Sequence, residues 1–213
     1  RIWEPVHKTM KLIFYLVFAL PLVVFAEPNK SAIHYEVSVG DSLKALKISV
    51  CFDHALPPIL FANDGSSTFV NNIRSNTGRV LDIEVDRINI PAEESARCIF
   101  YDVLLQPRNR GEQRGGAETR LIEGRDMLTS IGDWLLRPRS TSEYAQFDIN
   151  FTMPKGTYVS SPWRRIGETS FVGFNTPVEW EAIVTFSSRE PDTISVSGSI
   201  FEISVMGEFE RTP

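Results

Sequence analysis

The stretch IHYEVSV, residues 33–39, decides the fold class, because its odd-numbered residues are apolar or aromatic and its even-numbered residues are polar. Alternation with a period of two is the pattern of a β-strand with one buried face. Gly40-Asp41 then predicts a turn into a second strand, LKISVCF at residues 46–52.

The same period recurs on the C-terminal side of this strand. It is found in LDIEVD at 81–86, in FDINFTM at 147–153, in alternate residues from Trp180 to Phe186, and in the segments around Ile194 and Phe201. Ser197-Gly198-Ser199 predicts a hairpin between the last two, and a change of parity predicts a bulge or bend near Arg87. Helical periodicity is scarce. We therefore predict an all-β, antiparallel β-sandwich-like domain with long loops.

A leader is predicted to precede this domain. Met10-Lys11 opens an apolar run that ends in VFA, residues 24–26, before the polar start Glu27-Pro28. These features are typical of a secretory signal peptide. The alternative, an uncleaved membrane anchor, needs about 20 apolar residues, whereas this run is shorter and contains Pro21. We expect an upstream or misannotated segment at 1–9, a signal peptide at 10–26, and one secreted or periplasmic domain at 27–213.

The predicted mature chain is acidic. Removal of residues 1–26 leaves 187 residues and moves the formal net charge from −5 to −7. Nucleic acid and anionic membrane surfaces bind clustered Lys and Arg, so this balance argues against both as partners. After signal cleavage we expect no membrane span.

Cys51 and Cys98 are the two cysteines of the chain. Export places them where disulfides persist. Each falls on the less apolar face of its predicted strand, Cys51 beside Lys47 and Ser49. This position favours a disulfide bridge over two buried thiols, although parity gives no distance. In the chain-entropy model such a bridge stabilises the fold by about 4 kcal/mol.

Residues 107–124 break the alternation with four arginines, four glycines and few apolar side chains. This composition favours a solvated loop. The alternative is a binding loop for an acidic partner. We expect limited proteolysis to begin within residues 108–125.

The residues needed for catalysis are sparse. Residues 27–213 contain two histidines, His34 and His54, and no His-Glu-x-x-His or Gly-x-Ser-x-Gly motif. A zinc hydrolase centre cannot be assembled from so few ligands. Each histidine is better interpreted as a surface or hydrogen-bonded residue, and a small hydrolase that uses one of them is a remote alternative.

Two binding hypotheses come from side-chain patterns. Asp82, Glu84 and Asp86 share one face of a predicted strand and could bind calcium, although a solvated acidic face is the more common explanation. Trp134, Trp163 and Trp180 could build a platform for sugar or peptide, although large aromatic residues more often fill cores.

Several segments resemble a known family in their order along the chain. They are AIHYEV at 32–37, residues 98–103, GDWLLRP at 132–138, MPKGTYVSSPW at 153–163, and residues 194–206. Together they resemble the N-terminal β-domain of secreted bacterial proteins similar to glycyl aminopeptidases, a branch of the zinc metallopeptidases. The resemblance implies an all-β domain packed on a helical catalytic domain that would lie beyond Pro213.

Under this resemblance the chain is a non-catalytic accessory domain that positions peptide substrate or packs on the catalytic domain. We expect no catalytic or metal-binding residue and no cofactor in this chain, with zinc present only in a catalytic domain that follows. The expected peptide contacts are Trp134, Arg137, Trp163 and Trp180, which combine aromatic area with a carboxylate-binding guanidinium. The alternative is a free-standing secreted or periplasmic binding or envelope protein.

Overall fold

The computed structural model describes residues 31–63, 66–106, 120–122, 126–139, 144–176, 182–197 and 199–206. Within these ranges the regular structure consists of β-strands and two short 3-10 turns, Ser66–Thr68 and Ile131–Asp133. A search of the same ranges for a helix long and apolar enough to cross a membrane finds none. Residues 1–30, which include the predicted leader, and most of residues 107–124 fall outside the described ranges, so what was predicted for them stays a prediction.

The strands are numbered in chain order. They are β1 (Ile33–Val39), β2 (Ala45–Phe52), β3 (Ile59–Phe61), β4 (Val70–Ser75), β5 (Ile83–Glu84), β6 (Arg87–Asn89), β7 (Cys98–Leu104), β8 (Arg120–Ile122), β9 (Asp126–Ser130), β10 (Gln146–Thr152), β11 (Tyr158–Ser160), β12 (Arg164–Arg165), β13 (Ser170–Phe174), β14 (Ile183–Ser187), β15 (Asp192–Val196) and β16 (Ser199–Ile203).

These strands form two larger and two smaller sheets. A seven-stranded sheet has the order β12-β13-β10-β1-β2-β7-β4, and a four-stranded sheet has the order β11-β14-β9-β8. The smaller sheets are β3-β6-β5 and the two-stranded ribbon β15-β16. Among the described strand pairs, β1 and β10 run parallel and the others antiparallel. The sequence patterns did not predict this parallel pair.

Alternating residues build the core as predicted. In β1, Ile33, Tyr35 and Val37 are at most 1% exposed, whereas Glu36 and Ser38 are exposed. The inward face of the larger sheet meets the four-stranded sheet, where the rings of Phe151 and Phe186 pack edge to face with centroids 5.9 Å apart. The all-β, sandwich-like prediction is confirmed.

Tyrosine hydroxyl groups hold an irregular segment inside this core. The side chains of Trp134, Leu135 and Leu136 are fully buried. Tyr35 Oη donates a hydrogen bond to the Leu136 carbonyl at 2.9 Å, and the Leu136 N–H donates to Tyr101 Oη at 3.2 Å. The two hydroxyl groups thus provide hydrogen-bond partners for the backbone N–H and carbonyl of Leu136, which are buried away from water.

The disulfide favoured by strand parity is present. Cys51 and Cys98 face each other directly across β2 and β7, with Cα atoms 4.1 Å apart, and their sulfur atoms are bonded. On the opposite face of β7, Ile99, Tyr101 and Val103 are buried, which confirms the predicted parity.

The acidic strand face proposed for calcium does not form. β5 ends at Glu84, and the chain turns at Val85 and Asp86 so that Ile83 pairs with Ile88. The bend predicted near Arg87 is therefore a tight hairpin turn, and Asp82, Glu84 and Asp86 do not line one strand. No group of three His, Cys, Asp or Glu suited to a metal ion occurs in the described part of the chain.

Candidate functional site

Two of the expected peptide contacts lie in the interior. Trp134 is 0% exposed and Arg137 is 1% exposed. Arg137 is held there because its backbone exchanges hydrogen bonds with Phe61, at 2.8 and 2.7 Å. In this structure neither side chain offers surface to a ligand, although both were expected to contact peptide. Trp180 falls outside the described ranges.

Trp163 reaches the surface and is fixed in position. Its ring packs edge to face on Phe147, with centroids 5.1 Å apart. Both rings pack against Gly173. A Cβ atom at this position would come within 2.4 Å of the Phe147 ring and 2.8 Å of Trp163 Cδ1, so a larger residue would not fit. One side of Trp163 is thus locked against the core, and the residue is half-buried.

Trp163 lines an open groove of about 1250 Å³, which we call the β11–β12 groove. One wall comes from residues 153–169, which include β11 and β12, and the other from residues of the ribbon and the segment leading into it. Tyr158 and Phe201 add further aromatic surface, with exposed fractions of 36% and 51%. Sequence reasoning missed these two residues, because nothing in the alternation indicates that their segments meet.

An ion pair joins the two walls of the groove. The Arg165 guanidinium donates two hydrogen bonds to Glu202, from Nε to Oε1 at 2.5 Å and from Nη2 to Oε2 at 2.8 Å. Ser160 Oγ adds a third bond to Glu202 Oε2 at 3.1 Å. Hydrogen bonding to Arg165 is the main reason that the pKa of Glu202 is lowered, and its bond to Glu202 raises the pKa of Arg165.

Arg165 also contacts both of the larger sheets, through Val159 in β11 and Phe171 in β13. Its Nη2 donates to the Val159 carbonyl at 3.0 Å, and its Nη1 donates to the Glu168 carbonyl. The guanidinium carbon lies 4.6 Å from the centre of the Phe171 ring, within the range of a cation–π contact. Arg165 is therefore structural, and it fastens the ribbon to the rest of the domain.

Four other charged residues line the groove, namely Lys155, Arg164, Glu168 and Glu190. All four are exposed. Their side chains form no hydrogen bond or ion pair with residues that the structure describes. The groove thus offers charges of both signs beside an aromatic surface.

A second polar cluster lies on the outer face of the seven-stranded sheet. His34 Nδ1 is 2.8 Å from Asp148 Oδ2, and His34 Nε2 is 3.0 Å from Asp53 Oδ1. Partial burial by itself would lower the pKa of His34, but the hydrogen bonds and charges of the two carboxylates outweigh it, and the pKa is raised.

This cluster has the geometry of a structural link between strands. Both ring nitrogens of His34 contact carboxylates, so neither is turned toward a serine as a general base would be. His54 is an exposed residue beyond the end of β2. Among the described residues no three-ligand set suited to zinc is found.

The ribbon β15–β16 has one strongly apolar face. By strand register, Ile194 pairs with Phe201, and Val196 and Ile203 lie on the same side. These four side chains, which we call the ribbon face, are between 43% and 54% exposed. The opposite side carries Glu202, which binds Arg165, and this contact fixes the direction in which the ribbon face points.

Comparison with known proteins finds solved structures whose fold is similar to that of this chain. No protein-family model and no curated protein matches the chain. Among solved structures, it is similar to an aminopeptidase N family protein from Idiomarina loihiensis, with 11% identity over 80% of this chain and a TM-score of 0.57. A yeast LTA4 hydrolase in complex with bestatin has 11% identity over 78% of this chain and a TM-score of 0.33.

The chain spans 32% and 29% of the length of these two proteins. The first likeness agrees with the all-β fold implied by the resemblance to a metallopeptidase β-domain, and at this identity it shows the fold alone.

Proposed function

We propose that residues 27–213 are a non-catalytic accessory domain of an exported metallopeptidase-like protein, and that they pack on a further domain through the ribbon face. Support comes from the fold, which is similar to about a third of an aminopeptidase N family protein. It comes also from the resemblance of five sequence segments to a domain that precedes a zinc peptidase.

The ribbon face is the observation that carries this proposal. A two-stranded ribbon is marginally stable alone, and contiguous apolar patches on monomers tend to mark interaction sites. All five residues of β15 are exposed, while Glu202 holds the ribbon against the domain. The ribbon is therefore fixed with its apolar side outward.

The size of the ribbon face favours a linked partner over a second copy of this chain. Four half-exposed side chains can bury roughly 400 Å², about half of the ~800 Å² that each partner buries in a standard stable interface. A partner on the same polypeptide needs less area, because the link supplies a high effective concentration.

The proposal predicts that the reading frame continues beyond Pro213 into a domain that contains His-Glu-x-x-His. That domain, supplied as a separate polypeptide, should bind residues 27–213, and the double substitution Ile194→Ser with Ile203→Ser should weaken binding at least tenfold. Val80→Ser, at a valine 75% exposed and outside the ribbon, is the matched control. A stop codon directly after Pro213, or binding unaffected by the ribbon substitutions, would contradict the proposal.

The β11–β12 groove favours a second candidate, a free-standing secreted or periplasmic binding protein. A stop codon after Pro213 together with ligand binding in the groove would support it.

A further inference from the structure

We infer that the β11–β12 groove is a binding site for an extended peptide in which an apolar side chain lies next to a carboxylate. The site needs no partner domain, since every residue that forms it belongs to this chain. Phe201 belongs both to the groove and to the ribbon face, so the test uses residues 27–213 alone, where no partner domain covers Phe201.

Unpaired strand edges supply the first argument. β12 is the last strand of the seven-stranded sheet and β11 is the last strand of the four-stranded sheet, and both line the groove. An edge strand presents backbone donors and acceptors that an extended peptide can pair with. Arg165 already occupies the Val159 carbonyl, so the remaining backbone groups of these edges would bind the peptide.

Aromatic surface supplies the second argument. Trp163 is immobilised by Phe147 and Gly173, so contact with a ligand costs little side-chain entropy. Tyr158 and Phe201 are partly exposed in the same groove. Together they form an apolar seat for one aromatic or aliphatic side chain.

Charge supplies the third argument and indicates which charges a bound peptide would carry. Arg164 follows Trp163 directly, and Lys155 lies in the turn before β11. Two cations without partners among the described residues therefore lie on the same wall as Trp163 and Tyr158. A guanidinium binds a carboxylate through paired hydrogen bonds. The sites of opposite sign, Glu168 and Glu190, disfavour a uniformly acidic ligand and fit a peptide of mixed charge.

Nuclear magnetic resonance can test the inference on residues 27–213. The probe is the peptide acetyl-Ser-Asp-Phe-Ser-Thr-amide, and the signal is the indole N–H of Trp163, assigned with Trp163→Phe. We expect a saturable shift of this signal, and at least tenfold weaker binding when Asp in the peptide is replaced by Lys. The double substitution Lys155→Glu with Arg164→Glu should have a similar effect.

Matched controls separate the site from general charge effects. Lys47→Glu with Arg74→Glu makes the same charge change at exposed residues outside the groove and should leave affinity unchanged. Tyr158→Ala should weaken binding, whereas Phe174→Ala, at another exposed aromatic outside the groove, should not. The inference is overturned if millimolar peptide leaves the Trp163 signal unmoved, if the control variants weaken binding equally, or if maltohexaose shifts the signal and the peptide does not.

Discussion

At the scale of single residues, the contact between Arg165 and Glu202 links the ribbon to the rest of the domain. We expect Glu202→Gln to lower the free energy of unfolding by about 1 kcal/mol, because a partly exposed charge-assisted hydrogen bond loses its charge. Glu190→Gln removes a charge in the same groove that has no partner among the described residues, so it should change stability little. Urea unfolding of both variants measures the difference.

The same contact has a defined pH dependence. The pKa of Glu202 is lower in the folded chain than its ordinary value of 4.5. Its contribution to stability is thus fully present above pH 4.5 and is lost as the pH falls through the lowered pKa. If Glu202→Gln were equally destabilising at pH 7 and at pH 3, the ion pair would not be responsible.

The contribution of His34 to stability depends on pH in the opposite direction. Its pKa is higher in the folded chain than its ordinary value of 6.5, because two hydrogen bonds to carboxylates need both ring nitrogens protonated. Its contribution to stability is fully present below pH 6.5 and is lost as the pH rises through the raised pKa. His34→Gln should abolish this part of the pH dependence, and His54→Gln should leave it unchanged. A His34 ring that titrates below pH 6.5 in an NMR titration would refute the assignment.

Residue-level roles were the part that sequence predicted least well. Trp134 and Trp163 are the same residue type, yet one is buried and the other lines a groove. The difference arises from Tyr35 and Tyr101, which hold the segment of Trp134 inside the core from strands distant in sequence. No local pattern contains that information.

At the scale of elements, the turn between β5 and β6 carries strain. Val85 has φ of 55°, a region that β-branched residues rarely adopt, and it is 64% exposed. We expect Val85→Gly to raise the free energy of unfolding by about 1 kcal/mol, since glycine adopts this conformation without the steric cost. Val80→Gly, at an exposed valine without positive φ, should instead destabilise the chain. Thermal unfolding of both variants distinguishes the two outcomes.

The disulfide is the second element-level feature that can be tested. Replacing Cys51 and Cys98 together by Ala should lower the free energy of unfolding by up to about 4 kcal/mol, because the bridge closes a loop with a sequence separation of 47. Peptide mapping by mass spectrometry without reductant should find the two residues joined. Quantitative labelling of both thiols in the folded protein would contradict the bridge.

Strands, their faces and the last hairpin could be predicted because each depends on alternation within one segment. The pairing of β1 with β10 could not, because it joins residues 114 positions apart, such as His34 and Asp148. The change of parity near Arg87 was visible in the sequence. It marks the turn between β5 and β6 and not a bulge, because in sequence two very short strands joined by a tight turn look like a single strand with a bulge.

At the scale of the whole molecule, the sandwich follows from one apolar face on each long strand. The ribbon is different, because Ile194, Val196, Phe201 and Ile203 alternate like core residues and yet remain half exposed. The sequence pattern predicted their hairpin and could not show that the described domain leaves them uncovered. That uncovered face connects the fold to the proposed accessory role.

Hydrogen exchange of the β15 amides tests that role most directly. It compares residues 27–213 alone with the longer polypeptide that the proposal predicts. The expected result is that the β15 amides, whose residues are all exposed in the isolated domain, exchange at least tenfold more slowly in the longer polypeptide. Equal exchange rates in the two proteins would contradict packing through the ribbon face.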